Sequence, residues 1–323
     1  DNAGQVGLDE ILSNIRLAKN DDRILGIWLD GASLSMAPAS AKAIRDALVD
    51  FRQSGKWIIA SAQNYSQTNY YVASVADRIC LDPIGSVEWN GLTAQKIYYT
   101  RLLEKIGVEM QIIKVGTFKS AVEPYFRTSM SEEDKKQTIE YTQAIWNEYK
   151  KAVGETRNIT EAQLDLLADR YMGLQSAEEQ LQAGLVDTLI YAQDIESLLA
   201  TYTGTKDYKI LSTSQLGCVE RIPSTANDEI AVIYLDGVIT DDTGDGIVGK
   251  EVVKNIKRIA KKDNLKALVV RVNSPGGSAS ASEQIWHAIE NVKADSIPVV
   301  VSMGDYAASG GYYISCGANY IYA

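Results

Sequence analysis

The chain carries one segment twice, and that repeat restricts its possible folds more than any other feature. Residues 57–81, WIIASAQNYSQTNYYVASVADRICL, match 299–323, VVVSMGDYAASGGYYISCGANYIYA, at a constant offset of 242 that places Tyr70 and Tyr71 on Tyr312 and Tyr313. Upstream, ILGIWLDGASLSMAP corresponds to KALVVRVNSPGGSAS within a residue or two. So long an offset indicates a duplicated domain, because solenoid units recur every ~20 to 50 residues. The copies are unequally equipped: where the second has Gly276, Gly277 and Ser309, the first has Leu34, Ser35 and Gln67.

Both copies repeat one order of elements. The first reads as a helix over 8–19, a strand over 24–30, a helix over 39–53, a strand over 57–62 and a short helix over 67–75. The second reads as a helix over 251–261, a strand over 267–273, a glycine loop, a helix over 282–292, a strand over 299–303 and a short helix from about Ser309. Short apolar strands alternating with amphipathic helices predict βαβ units, hence a parallel sheet with helices on both faces. Between the copies, 95–106 reads as helix, 109–115 as strand and 131–153 as a long helix. Ser131 is its expected N-cap, with Glu132, Glu133 and Asp134 in the first turn, where the helix dipole favours acids. Shorter helices are expected over 161–170 and 177–182, the latter stopped by Gly184.

The polar stretch 203–228 reads as a linker, after which 230–235 opens a new strand. The expected organisation is a first domain over 1–202, the linker, and a second domain over 229–323. The first copy continues for more than a hundred residues past Leu81, whereas the sequence stops at Ala323, the matching position. The second domain is therefore expected to be incomplete.

A length of 323 residues suffices for two cores. The net charge of -10 argues against nucleic acid, whose phosphates require clustered Lys and Arg. No apolar run approaches the ~20 residues that span a bilayer, and the polar start at Asp1 is not a secretory leader. Cys80, Cys218 and Cys316 have no metal-ligand spacing and read as buried thiols, so neither metal nor cofactor is expected. His287, the sole histidine, falls off the apolar line of Ile285, Ile289 and Val292, as a helix-surface residue would. A Ser-His-Asp triad would have to rest on it.

Three pieces could carry chemistry. Ser274, Pro275, Gly276, Gly277 and Ser278 follow a strand, and glycines there turn the backbone and expose amides to an oxyanion; alone, the loop could equally be an ordinary turn. Ser280 and Glu283 have capping-box spacing for the helix that follows. Ser309, in Ala308, Ser309, Gly310, Gly311, sits at a strand-to-helix junction, where the paired glycines indicate either close backbone approach or tight helix packing. Tyr306, Tyr312 and Tyr313 border it as an apolar subsite or as core. Lacking a usable histidine, a nucleophilic serine needs another base, and a neutral lysine serves. Lys119 is the candidate, with Phe118, Val122, Tyr125 and Phe126 as an apolar pocket to lower its pKa; Lys114 competes, and a solvated surface lysine is the ordinary alternative.

SPGGS after one strand, AASGGYY after the next, GTFKSA in the first copy and AGLVD at 183–187 together resemble the signal peptide peptidase A, or protease IV, family in its long, tandem-repeat form. The resemblance implies an α/β fold of tandem Clp-protease/crotonase-like domains, built from ββα superhelical repeats. It implies a Ser-Lys dyad with Ser309 as nucleophile and Lys119 as base, and an oxyanion hole from Gly310 and the glycine loop, Gly277 ranking above Gly276. It also implies a homo-oligomer, a tetramer, that degrades released signal peptides at the outer face of the bacterial cytoplasmic membrane, held by an N-terminal anchor outside this sequence. The first copy kept the lysine and lost the serine, so the dyad is expected to join the two halves. Two rivals remain at this stage: a crotonase-type enzyme acting on coenzyme A thioesters, and a catalytically incomplete assembly scaffold.

Overall fold

The computed structural model describes residues 6–31, 36–216 and 226–323. The chain divides into two compact units, one of residues 1–36 and 41–213, the other of 37–40 and 214–323. The first contains α1 (Leu8–Asn20), β1 (Gly26–Asp30), α2 (Pro38–Arg52, whose first residues group with the second unit), β2 (Trp57–Tyr65), α3 (Gln67–Ala73) and β3 (Arg78–Val87). It continues through α4 (Thr100–Lys105), α5 (Glu132–Arg157), α6 (Glu161–Asp169), α7 (Ala177–Gln182), β4 (Thr188–Leu189) and α8 (Ile195–Thr203); α9 (Thr213–Leu216) lies at the boundary. The second unit contains β5 (Glu229–Asp236), β6 (Ile239–Thr240), β7 (Ile247–Val248), α10 (Gly249–Ile259), β8 (Leu265–Ser274), α11 (Ala279–Ala294), β9 (Val299–Ala307), α12 (Gly310–Ser315) and β10 (Tyr320–Tyr322).

Each unit is built on a four-stranded parallel sheet, β1-β2-β3-β4 in the first and β10-β9-β8-β5 in the second. In the first, Ile58, Ile59 and Ala60 are consecutive and fully buried, the pattern of a central parallel strand covered on both faces. Ile59 and Cys80 pack against Ile195 and Leu199 of α8. In the second, β8 alternates, sending Leu268, Val270 and Val272 to a core shared with Val299 and Val301 of β9, Ile285 and Ile289 of α11, Val252 and Ile256 of α10, and Ile314 of α12. Among the described residues helices cover only that face, and Ile230, Val232 and Tyr234 of β5 remain exposed. The expectation of helices on both faces thus holds for the first sheet alone.

The expected helix over 95–106 shrinks to α4, and the expected strand over 109–115 is absent. Ile113 and Val115 are 86% and 90% exposed there, because an apolar alternation becomes a strand only where a sheet edge pairs its amides. The long helix does form as α5, capped by Ser131 Oγ accepting from the Asp134 amide and stopped at Asn158 in left-handed conformation. Gly184, with φ 77°, follows α7 as expected. The cap of α11 moves: Ser278, not Ser280, accepts from the Ala281 amide, and Glu283 instead accepts from the Tyr313 hydroxyl. Leu34, Ser35, Cys218 and the middle of the expected linker lie outside the described residues. No helix among the described residues is long and apolar enough to cross a membrane.

Candidate active site

Ser309 stands where β9 passes into α12, on a backbone with φ 51° and ψ -117°. Asn158 and Tyr171 also have positive φ, but their ψ values of 40° and 65° place them in or near the left-handed helical well. Ser309 lies far from it, in territory that a side chain with a Cβ seldom occupies. The turn is held on both sides: the Ala308 amide donates to the Ser274 carbonyl at 3.0 Å, and the Tyr313 amide donates to the Ser309 carbonyl at 2.9 Å. The Ser309 side chain is exposed and does not cap α12.

The glycine loop packs directly against this turn. A Cβ on Gly276, whose φ is 101°, would fall 2.7 Å from the Gly310 nitrogen and 2.8 Å from Ser309 Cβ. Gly276 is already committed at both backbone atoms, its amide donating to Ser274 Oγ at 3.1 Å and its carbonyl accepting from Ile239 at 2.9 Å. The Ser274 hydroxyl, fully buried, donates in turn to the Gly237 carbonyl at 2.7 Å. Gly277 forms a parallel bridge with Ile239, whose amide and carbonyl bond to its neighbours Gly276 and Ser278. Strand alternation then turns the Gly277 amide away from Ile239. The amides of Gly277 and Gly310 have no acceptor among the described residues.

Tyr306 and Tyr312 are 59% and 56% exposed, which removes core packing as their role. Tyr313 is half-exposed and stacks on Trp286 at 6.3 Å between centroids. His287 is exposed on α11, and among the described residues no cluster of His, Cys, Asp and Glu could hold a metal. Sequence reasoning assigned no role to Ser274; its signal is a small hydroxyl residue ending an apolar strand, where a side chain can bond the turn that follows.

Lys119 belongs to the first unit. It precedes a 3-10 turn, Ser120–Tyr125, pinned by Glu123. That carboxylate is only 1% exposed and accepts from the Ser131 amide at 3.0 Å and the Ser131 hydroxyl at 2.5 Å. Lys119 itself is exposed, as are Phe118, Tyr125 and Phe126, while Val122 is half-buried. Lys114 lies over the Phe126 ring at 5.6 Å.

The sequence profile of peptidase family S49 matches residues 50–206 and 291–323, stretches that contain Lys119 and Ser309. Protease 4 of Salmonella typhi is 39% identical over 329 residues, covering 98% of this chain and 53% of the relative. Protease 4 of Haemophilus influenzae is 38% identical, covering 97% of this chain and 54% of the relative. The chloroplastic serine protease SPPA of Arabidopsis thaliana is 27% identical, covering 98% and 48%. The chain spans about half the length of these curated relatives. With the matched stretches amounting to more than half of its residues, the chain belongs to peptidase family S49.

Proposed function

We propose that the chain supplies the reacting groups of a serine peptidase. Neutral Lys119 takes the Ser309 proton as Ser309 Oγ attacks the scissile carbonyl. The amides of Gly277 and Gly310 receive the oxyanion, while Gly276 keeps the two segments close and donates nothing to it. The Lys119 ammonium then protonates the leaving amine, and water resolves the acyl-enzyme. The observation that carries this reading is the backbone of Ser309, strained at φ 51° and ψ -117° beside two amides that have no acceptor among the described residues. Strain of this kind persists only where the surroundings enforce it, and it concentrates at reacting groups.

Exposed Tyr306 and Tyr312 flank the serine and suit apolar substrate side chains. The motif set supports the finer reading: tandem Clp-protease/crotonase-like domains divided near 203–228, in a homo-oligomer that degrades released signal peptides at the outer face of the bacterial cytoplasmic membrane. The test is Ser309→Ala and Lys119→Ala, each expected to abolish peptide hydrolysis with the fold retained. Turnover surviving in either folded variant refutes the dyad.

A further inference from the structure

The strand that carries Ser309 is out of step with its neighbour just before the serine. Val272 pairs with Met303 and Ser274 with Ala307, so Asn273 alone faces Gly304, Asp305 and Tyr306. This bulge bends β9 and redirects everything that follows it. Its unpaired backbone is gathered by one side chain: Asn273 Oδ1 accepts from the Tyr306 amide at 3.0 Å. The Asn273 amide nitrogen donates to Asp236 Oδ1 on β5 at 3.2 Å, which fixes the orientation of the carboxamide. Gly304 allows the approach, since a Cβ there would lie 3.0 Å from Asn273 Oδ1.

The first copy is an internal comparison. Gly26 pairs with Trp57 and Leu268 with Val299, partners separated by the same offset of 242, so Gly31 occupies the place of Asn273. There the described ladder runs from Gly26 and Trp57 to Asp30 and Ser61, the counterparts of the Leu268–Val299 to Val272–Met303 pairs. The Gly31 amide continues it by donating to the Ser61 carbonyl at 2.7 Å, and a Cβ on Gly31 would strike Ala62 at 2.2 Å. That copy ends in Gln67, whose side chain is occupied with the backbone of Asn90 and Gly91. The asparagine and the serine are thus present together in one copy and replaced together in the other.

We infer that Asn273 is a positioning residue: by holding the Tyr306 amide it sets the bulge that aims Ser309 at the Gly277 and Gly310 amides. The inference rests on Ser309 being the nucleophile. A displacement of about 1 Å at a reacting atom costs roughly 100-fold in rate. The test is the rate at which a small alkyl fluorophosphonate labels Ser309 in the full chain, read by intact mass. Asn273→Ala is expected to slow labelling about 100-fold with an unchanged urea midpoint. The exchange Asp236→Asn with Asn273→Asp restores both hydrogen bonds with one reversed, and is expected to return the rate to within a few-fold of native. A merely structural role would not produce that rescue at constant stability.

Should Asn273→Ala fail to fold, Asp236→Ala replaces it, removing only the acceptor that orients Asn273, with slowing of about tenfold expected. Native labelling with no slowing in the folded variant overturns the inference alone, as does an exchange variant no faster than Asn273→Ala. A native chain that takes no label at Ser309 overturns the nucleophile and this inference with it.

Discussion

Replacing Ser309 by glycine and by alanine separates backbone strain from chemistry. Both variants lose the hydroxyl, so its contacts cancel in the comparison; they differ in the Cβ that φ 51° and ψ -117° disfavour. Holding a non-glycine residue in such a region costs about 1–3 kcal/mol. Glycine loses more conformational entropy on folding, at about 0.5–1 kcal/mol relative to alanine. The difference leaves Ser309→Gly about 1 kcal/mol more stable than Ser309→Ala. With a typical urea dependence of about 2 kcal/mol per molar, the midpoint rises by roughly 0.5 M. The assay is urea denaturation with hydrogen exchange read on β8, β9 and α11, which report the second unit. At an unstrained site alanine is the more stable of the two, so a glycine midpoint at or below that of alanine refutes the strain and the reading built on it.

Gly276→Ala should destabilise the second unit by about 3 kcal/mol, through a strained φ and a Cβ that collides with the Gly310 nitrogen and Ser309 Cβ; urea denaturation measures it, and an unchanged midpoint refutes the close packing. Cys316 is exposed and should react with iodoacetamide at pH 8, whereas buried Cys80 should react only on unfolding, as site-resolved mass spectrometry would show. Burial pushes the Cys80 thiol up from 9.0 to about 11. The folded state therefore keeps a proton that the unfolded chain releases, so this contribution to stability is complete below pH 9 and lost as pH rises through about 11. Burial raises Tyr65, Tyr70 and Tyr71 in the same direction, so Cys80→Ala should flatten the alkaline loss in part.

Much of the fold was legible because it follows from local pattern. The apolar runs at β1, β2, β8 and β9 and the Ser131 cap of α5 depend on residues a few positions apart, and they form where expected. The failures share a physical cause. Residues 109–115 alternate as a strand does but pair with no strand among the described residues, and Ser280 has capping-box spacing but loses the helix start to Ser278, two residues earlier. In both cases a partner distant in sequence, or the route of the preceding backbone, decided between locally plausible outcomes.

The site divides in the same way. Sequence alone determined which residues stand near the strand ends and that the two copies differ in them, because residue identity and spacing are properties of the chain. Tertiary structure decided what each can do. Gly276 and Gly277 are equivalent as letters, yet one amide is bound to Ser274 Oγ and the other is turned away from Ile239. Ser309 and Gln67 sit at matching positions, yet Ser309 has a positive φ of 51° and Gln67 does not. Those distinctions are set through space by Ser274, Ile239 and Asn273, since a hydrogen bond joins atoms that folding brings within about 3 Å whatever their separation along the chain.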